Sequence, residues 1–131
     1  MGVSAQREIG ASTVDAEQAV ARALDAVRRR PGEPVFLFLH LFDVHTPYGA
    51  PEPWNQAFDP PNREGDPVYL AYWRHAEDPL DEAGLQHVVA EYDEELRYVD
   101  AQLRRLYEAF TAAGRVPQIL VTADHGEELG E

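Results

Sequence analysis

The chain has 131 residues, enough for one modest domain with its own core, and it contains no cysteine from which disulfides could form. Its 24 acidic and 11 basic side chains give a formal net charge of -13, which excludes a broad cationic surface and predicts no nucleic-acid partner. The sequence holds no apolar run long enough to span a bilayer, so we expect no membrane segment in this chain, and its composition does not indicate a cellular location.

The first predicted element is a helix. Residues 1–12 show no hydrophobic periodicity, and we expect them to be disordered. The helix is predicted from about residue 13 to residue 30, because Ser12 or Thr13 can cap its start and a run of arginines matches the negative end of its dipole. A Pro-Gly pair then ends it. Its apolar stripe consists of Val20, Ala23, Leu24 and Val27.

A buried parallel strand is predicted next, from Val35 to Phe42, where every residue except His40 is apolar. Since a helix precedes this strand, and a helix and a second apolar run follow it, we expect an α/β fold with parallel strands and covering helices. Ligands of such sheets bind beyond the carboxyl ends of the strands. His45 lies there, as a functional residue or as an ordinary loop histidine. Asp43 is expected to accept backbone hydrogen bonds in an Asx-type turn.

Residues 49–80 are predicted to form a long irregular loop. They are rich in proline, glycine and aromatic residues and show no regular pattern. The aromatic side chains Trp54, Tyr69, Tyr72 and Trp73 are expected to pack on a hydrophobic patch under the loop, which would keep the loop ordered.

The longest predicted helix runs from about residue 80 to residue 113, and its apolar side chains recur at intervals of three and four. We expect this stripe to lie against the sheet and the charged residues of the other face, Asp93 and Asp100 among them, to be solvated. A single stripe followed at once by a strand favours a βαβ crossover over a coiled coil. The stripe comprises Leu85, Val89, Tyr92, Leu96, Val99, Leu103, Leu106 and Phe110.

Residues 118–131 contain a second apolar run, Ile119 to Val121, which is soon followed by Asp124, His125 and Gly126. A carboxylate beside an imidazole suits a divalent cation, and the glycine permits a turn in which both side chains reach one centre. Two donors do not complete a cation site, so further ligands must come from elsewhere. The alternative is a helix N-terminus, with Asp124 as its cap and acidic residues in its first turn.

Two blocks of the sequence resemble motifs of the sulfatase family, which belongs to the alkaline-phosphatase superfamily. The block TADHGEELGE at residues 122–131 is similar to that family's metal-binding segment. The block FLFLHLFDVHTPY at residues 36–48 is similar to the family's strand that ends in Asp-x-His-x-Pro-Tyr. Both blocks occur in the family's order with a long helix between them, and the resemblance covers about residues 34–131.

The resemblance implies a sulfuric ester hydrolase that acts on a small sulfated or phosphorylated substrate. It implies that Asp124 and His125 bind a divalent metal and that His45 contacts the ester oxygens. We expect calcium, with Mn2+, Mg2+ and Zn2+ as alternatives. The implied fold is a fragment of an alkaline-phosphatase-like α/β fold over residues 1–131. In such a fold residues 49–80 lie on the substrate side, where substrate contact is a second interpretation of their aromatic side chains.

The sequence departs from the family pattern at the nucleophile. The Cys- or Ser-x-Pro-Ser-Arg motif of sulfatases is absent from these residues. We therefore expect the chain to be the middle portion of a metal-dependent hydrolase, inactive alone and completed by the remainder of the parent hydrolase domain. Two other functions stay open. One is a phosphate or phosphonate ester hydrolase or phosphoglycerol transferase of the same superfamily, and the other is a non-catalytic α/β binding module.

Overall fold

The computed structural model describes residues 15–58, 81–127 and 129. Helix α1 spans Ala16–Arg28, a short 3-10 helix spans Trp54–Gln56, and helix α2 spans Glu82–Ala112. None of the helices in the described ranges is long and apolar enough to cross a membrane. The predicted disorder of residues 1–12 lies outside the described residues, as does the part of the predicted loop from residue 59 to residue 80.

The start of α1 is held by three side chains that accept hydrogen bonds from its first N–H groups. The N-cap is Asp15, which accepts from the third helical residue at 2.8 Å. Asp43 accepts a hydrogen bond from the N–H group of the first helical residue at 2.7 Å, and the Tyr98 hydroxyl accepts one from the N–H group of the second at 3.1 Å. Because these N–H groups have no partner within the helix, the three acceptors stabilise its start. The prediction of Ser12 or Thr13 as the cap is wrong, since the helix begins after Asp15.

Helix α2 confirms the long helix predicted for residues 80–113. The side chain of its N-cap, Asp81, accepts a hydrogen bond from Gly84 N at 2.8 Å. At the other end Gly114 has a φ of 72°, a left-handed conformation that glycine adopts without strain. Arg115 N then donates to Phe110 O at 3.0 Å, which satisfies a carbonyl of the last turn and ends the helix.

Helices α1 and α2 pack against each other through two small apolar clusters. The first joins the predicted stripe of α1 to the end of α2, and the second joins the start of α1 to the middle of α2 and to the loop between the helices. Buried members of the first are Val20, Ala23, Leu24 and Leu106, with Leu37, Leu39, Ala109 and Phe110 half-buried beside them. Buried members of the second are Ala16, Ala50 and Tyr98, with Leu41, Trp54 and Val99 beside them.

The predicted α/β fold with parallel strands is wrong for the described residues, which hold helices and no strand. In the segment predicted as the first strand, Leu37 and Leu39 pack on the helices, whereas Phe36 and Phe38 are 94% and 79% exposed. Packing of one face against the helices accounts for the apolar residues Leu37 and Leu39. A strand also needs a neighbouring strand to form its hydrogen-bond ladder, and no backbone hydrogen bond of the described residues joins the two apolar runs.

The face that α2 buries also differs from the predicted apolar stripe. Leu96 of that stripe is 41% exposed, and Leu106, at 9%, is its one buried residue, whereas Glu91, Glu94 and Glu95 are 7%, 4% and 5% exposed. The carboxylates of Glu94 and Glu95 accept hydrogen bonds from N–H groups of the preceding loop. Because that loop has little regular structure, its N–H groups need side-chain acceptors, a requirement that hydrophobic periodicity does not record.

Candidate functional site

The two sequence motifs, at residues 43–48 and 124–127, meet through a side-chain hydrogen bond. The hydroxyl of Tyr48 donates to Oε2 of Glu127 at 3.2 Å, across 79 positions of the chain. Tyr48 is only 5% exposed, and its ring packs edge to face against Tyr92 of α2 with the ring centroids 5.5 Å apart. Helix α2 therefore supports the contact between the two motifs.

His45 is exposed, and its ring stacks on Phe42 with the centroids 4.4 Å apart and an angle of 16° between the planes. Its Nδ1 lies 2.6 Å from the carbonyl oxygen of Thr46. Since a carbonyl oxygen only accepts, Nδ1 carries the proton in this contact. Nε2 is then the ring nitrogen that is available to a ligand.

Asp43 connects the His45 loop to α1. Its Oδ1 accepts the hydrogen bond from Ala16 N, so it caps a helix 27 positions earlier in the chain and does not form the Asx-type turn that the sequence predicts. Its Oδ2 is buried and has no hydrogen-bond partner among the described residues. Asp43 and His45 line the same cleft.

The cleft has a volume of about 350 Å³, and its walls come from the start of α1, the His45 loop and the middle of α2. The ionisable side chains in its walls are Asp15, Asp43, His45, Glu95 and Tyr98. Three of them are carboxylic acids, and the described residues of the walls include neither arginine nor lysine. The cleft therefore favours positive charge, and an anionic ester requires a compensating cation to bind there.

Glu95 is the ionisable group of this cleft that its surroundings perturb most. Burial raises the pKa of Glu95 from 4.5 to about 7, although the hydrogen bond from Gly49 N opposes this. The nearby charges of Asp43, Glu91 and Glu94 raise the pKa further. Glu95 thus titrates close to neutral pH, in a cleft that His45 also lines.

The predicted metal ligands Asp124 and His125 are adjacent and exposed. The exposed fractions of their side chains are 93% and 64%, and Oδ2 of Asp124 lies 4.0 Å from Nε2 of His125. Nδ1 of His125 is 2.6 Å from the carbonyl oxygen of Gly126. This hydrogen bond, followed by the charges of Asp124 and Glu127, raises the pKa of His125.

The pair fits two of the ligands of a metal ion. A hydrogen bond from Nδ1 to a carbonyl oxygen is the usual way in which proteins orient a metal-binding histidine, and it leaves Nε2 for the metal. Ligand bonds of roughly 2.0–2.4 Å permit donors on opposite sides of one ion to be about 4 Å apart. The described residues contain no group of three or more such ligands. The cap alternative gains no support, because residues 125–127 are not helical.

The aromatic residue Trp54 packs on Tyr98 with the ring centroids 6.5 Å apart, and the guanidinium of Arg97 lies 5.9 Å from its ring. These contacts support the packing interpretation for Trp54. The other three aromatic residues of the predicted loop, Tyr69, Tyr72 and Trp73, lie outside the described residues.

Sequence reasoning missed the contribution of α2 to the cleft. Glu91, Glu94, Glu95 and Tyr98 have the spacing i, i+3, i+4, i+7, which places them on one helical face. That spacing was a usable signal. Because charged side chains are seldom buried, the sequence alone predicts that this charged face is solvated.

No solved structure is significantly similar to this chain. The family model Sulfatase matches residues 5–131, a range that includes both motifs and both described helices. This match covers nearly the whole chain and confirms the resemblance drawn from the two motifs. The chain belongs to the sulfatase family.

Proposed function

We propose that this chain is the middle portion of a metal-dependent hydrolase that cleaves sulfate monoesters. In this proposal His45 contacts the ester oxygens, and Asp124 and His125 bind the cation. The hydrogen bond between Tyr48 and Glu127 is the observation that supports it most directly, because it joins the segments that carry these three residues. Family membership supports the coarser statement, a hydrolase of the sulfatase superfamily.

The charge of the cleft gives a physical reason for a cation. Asp15, Asp43 and Glu95 line the cleft, so a sulfate ester that approached it alone would be repelled. A bound divalent cation would supply positive charge to the ester oxygens. In its imidazolium form His45 donates through Nε2 to an ester oxygen while Nδ1 keeps its hydrogen bond to Thr46.

Calcium is the cation that we propose, because carboxylate and carbonyl oxygens are its preferred ligands. The imidazole of His125 also suits manganese or zinc, and magnesium is a further alternative. The nucleophile and the remaining ligands belong to the rest of the parent hydrolase domain. We propose a small sulfated molecule as the substrate, and a phosphorylated molecule is the competing substrate class.

The complete gene product that contains these residues provides the test. We expect it to bind about one calcium per site and to hydrolyse an aryl sulfate faster than the matching aryl phosphate. We expect Asp124→Ala to lose the metal and the activity, because it removes a ligand. Asp100→Ala is the matched control, since Asp100 is an exposed aspartate of α2 whose Oδ2 lies 3.7 Å from Nη2 of Arg104.

Three outcomes would contradict the proposal. Unchanged metal content in Asp124→Ala removes the ligand assignment. Stoichiometric zinc or manganese in the purified protein contradicts the assignment of calcium as the cation. Faster hydrolysis of the phosphate ester than of the sulfate ester contradicts the assignment of sulfate esters as the substrate class and favours phosphate esters.

A further inference from the structure

The loop that carries His45 is attached to the helices on both sides of the histidine. Before it, Asp43 Oδ1 accepts a hydrogen bond from Ala16 N at 2.7 Å. After it, Gly49 N donates to Oε1 of Glu95 at 2.9 Å. His45 therefore lies within a span of seven residues whose two ends bind to α1 and α2.

The attachment to α2 belongs to a wider pattern of buried carboxylates. Glu94, one position before Glu95, accepts from Ala57 N at 2.9 Å and from Phe58 N at 3.0 Å. Burial of a charged group costs free energy unless hydrogen bonds compensate for it. The backbone N–H groups of the loop provide this compensation, and the carboxylates in turn fix the path of the loop. Glu94 binds the part of the loop at Ala57 and Phe58, and Glu95 binds the part at Gly49, which is closer to His45 in the sequence.

We propose that Glu95 is a positioning residue for His45, which it holds at the cleft through its hydrogen bond to Gly49 N. The inference deepens the proposed function and rests on it for the role of His45. Glu95 is only 5% exposed and lines the same cleft as His45. Its carboxylate acts through the loop backbone, so the ester need not touch it.

Amide hydrogen exchange tests the attachment without any use of activity. In Glu95→Ala we expect the Gly49 amide to exchange about 10- to 100-fold faster, the scale of one lost hydrogen bond to a charged group. In Glu95→Gln the side-chain amide oxygen still accepts, so exchange should stay close to wild type. Glu108→Ala is the matched control, because Glu108 is an exposed glutamate of the same helix. Unchanged exchange in Glu95→Ala would overturn the inference.

A variant at the donor covers the case in which Glu95→Ala does not fold. Gly49→Pro removes the N–H group that Glu95 binds. Its control is Gly49→Ala, which keeps the N–H group and whose added Cβ meets no atom of the described residues within 4 Å. We expect Gly49→Pro to lower turnover of an aryl sulfate and Gly49→Ala to leave it near wild type. Equal activity of the two variants would count against Glu95 as a positioning residue.

Kinetics of the complete gene product separate positioning from general stability. We expect Glu95→Ala to lower kcat/KM for an aryl sulfate by roughly 10- to 100-fold, the range expected from a small displacement of a contact residue. Glu95→Gln should recover the rate to within a few-fold. A loss of rate that only follows the loss of Tm, without recovery by glutamine, would assign Glu95 a purely structural role. If the wild-type protein hydrolyses no ester, the proposed function fails while hydrogen exchange still decides the attachment.

Discussion

The histidines of the two motifs share one local geometry. Nδ1 of His45 lies 2.6 Å from the oxygen of Thr46, and Nδ1 of His125 lies 2.6 Å from the oxygen of Gly126. In both cases the carbonyl oxygen of the next residue accepts a hydrogen bond from Nδ1–H, which leaves Nε2 for a ligand. Two exposed side chains are thus oriented by their own backbone.

His45→Ala tests the anion contact at this scale. If His45 binds the ester oxygens, its loss should lower kcat/KM of the complete gene product by roughly 10²- to 10³-fold, the scale for one donor to developing charge. Its exposure predicts little change in Tm. His40→Ala is the control, because His40 is an exposed histidine of the same segment, with its ring centroid 6.3 Å from that of Phe42. A rate within a few-fold of wild type in His45→Ala would remove the assignment.

The sequence could predict site residues that belong to contiguous motifs. It could not predict site residues that a helix distant in the sequence contributes. His45, Asp124 and His125 were candidates because their neighbours form family patterns, and the Tyr48–Glu127 contact supports the proximity of these patterns. Glu95 was not a candidate. Its role depends on a hydrogen bond to a residue 46 positions away, which no local pattern specifies.

At the scale of elements, the prediction of the helices was correct, and the prediction of strands was wrong for the described residues. Local signals suffice for a helix: α2 begins at an Asp cap, repeats its apolar residues at threes and fours, and ends at Gly114. A strand depends on a partner that lies elsewhere in the chain. Segment 35–42 has the composition of a strand, yet within the described residues it packs on α1 and α2 and pairs with no other segment.

The start of α1 is an element whose stability depends on other elements, and Tyr98→Phe tests this. The hydroxyl of Tyr98 accepts from Glu17 N at 3.1 Å, and the residue is 2% exposed. Removal of the oxygen leaves that N–H group without this acceptor and should lower the free energy of unfolding by about 0.5–1.5 kcal/mol. Urea unfolding of the chain measures this change in the free energy of unfolding.

Tyr107→Phe is the control for this change, because Tyr107 is a tyrosine of the same helix that is 44% exposed. We expect it to leave the unfolding midpoint in urea nearly unchanged. Equal midpoints for Tyr98→Phe and the wild-type chain would show that the tyrosine hydroxyl does not stabilise α1.

At the scale of the whole molecule, a chain with a net charge of -13 buries some of its acidic groups between its helices and loop. Glu95 is surrounded by Asp43, Glu91 and Glu94, and the hydrogen bond from Gly49 N opposes the effect of their charges. Each of these charges disfavours the ionised form of Glu95. The molecule is therefore expected to respond to pH in the range where this carboxyl group titrates.

The direction of that response follows from the pKa of Glu95, which burial raises from 4.5 in the unfolded chain to about 7 in the folded one. Between these pH values the folded chain binds the proton of Glu95 more tightly than the unfolded chain does, so the stability that this carboxyl group contributes is fully present below pH 4.5 and is lost as the pH rises through about 7. Glu95→Gln removes this titration. We expect the Tm of wild type relative to Glu95→Gln to fall as the pH rises from about 5 to 7, and then to level off. Glu108→Gln should show no such trend, and parallel Tm curves for wild type and Glu95→Gln would contradict the raised pKa.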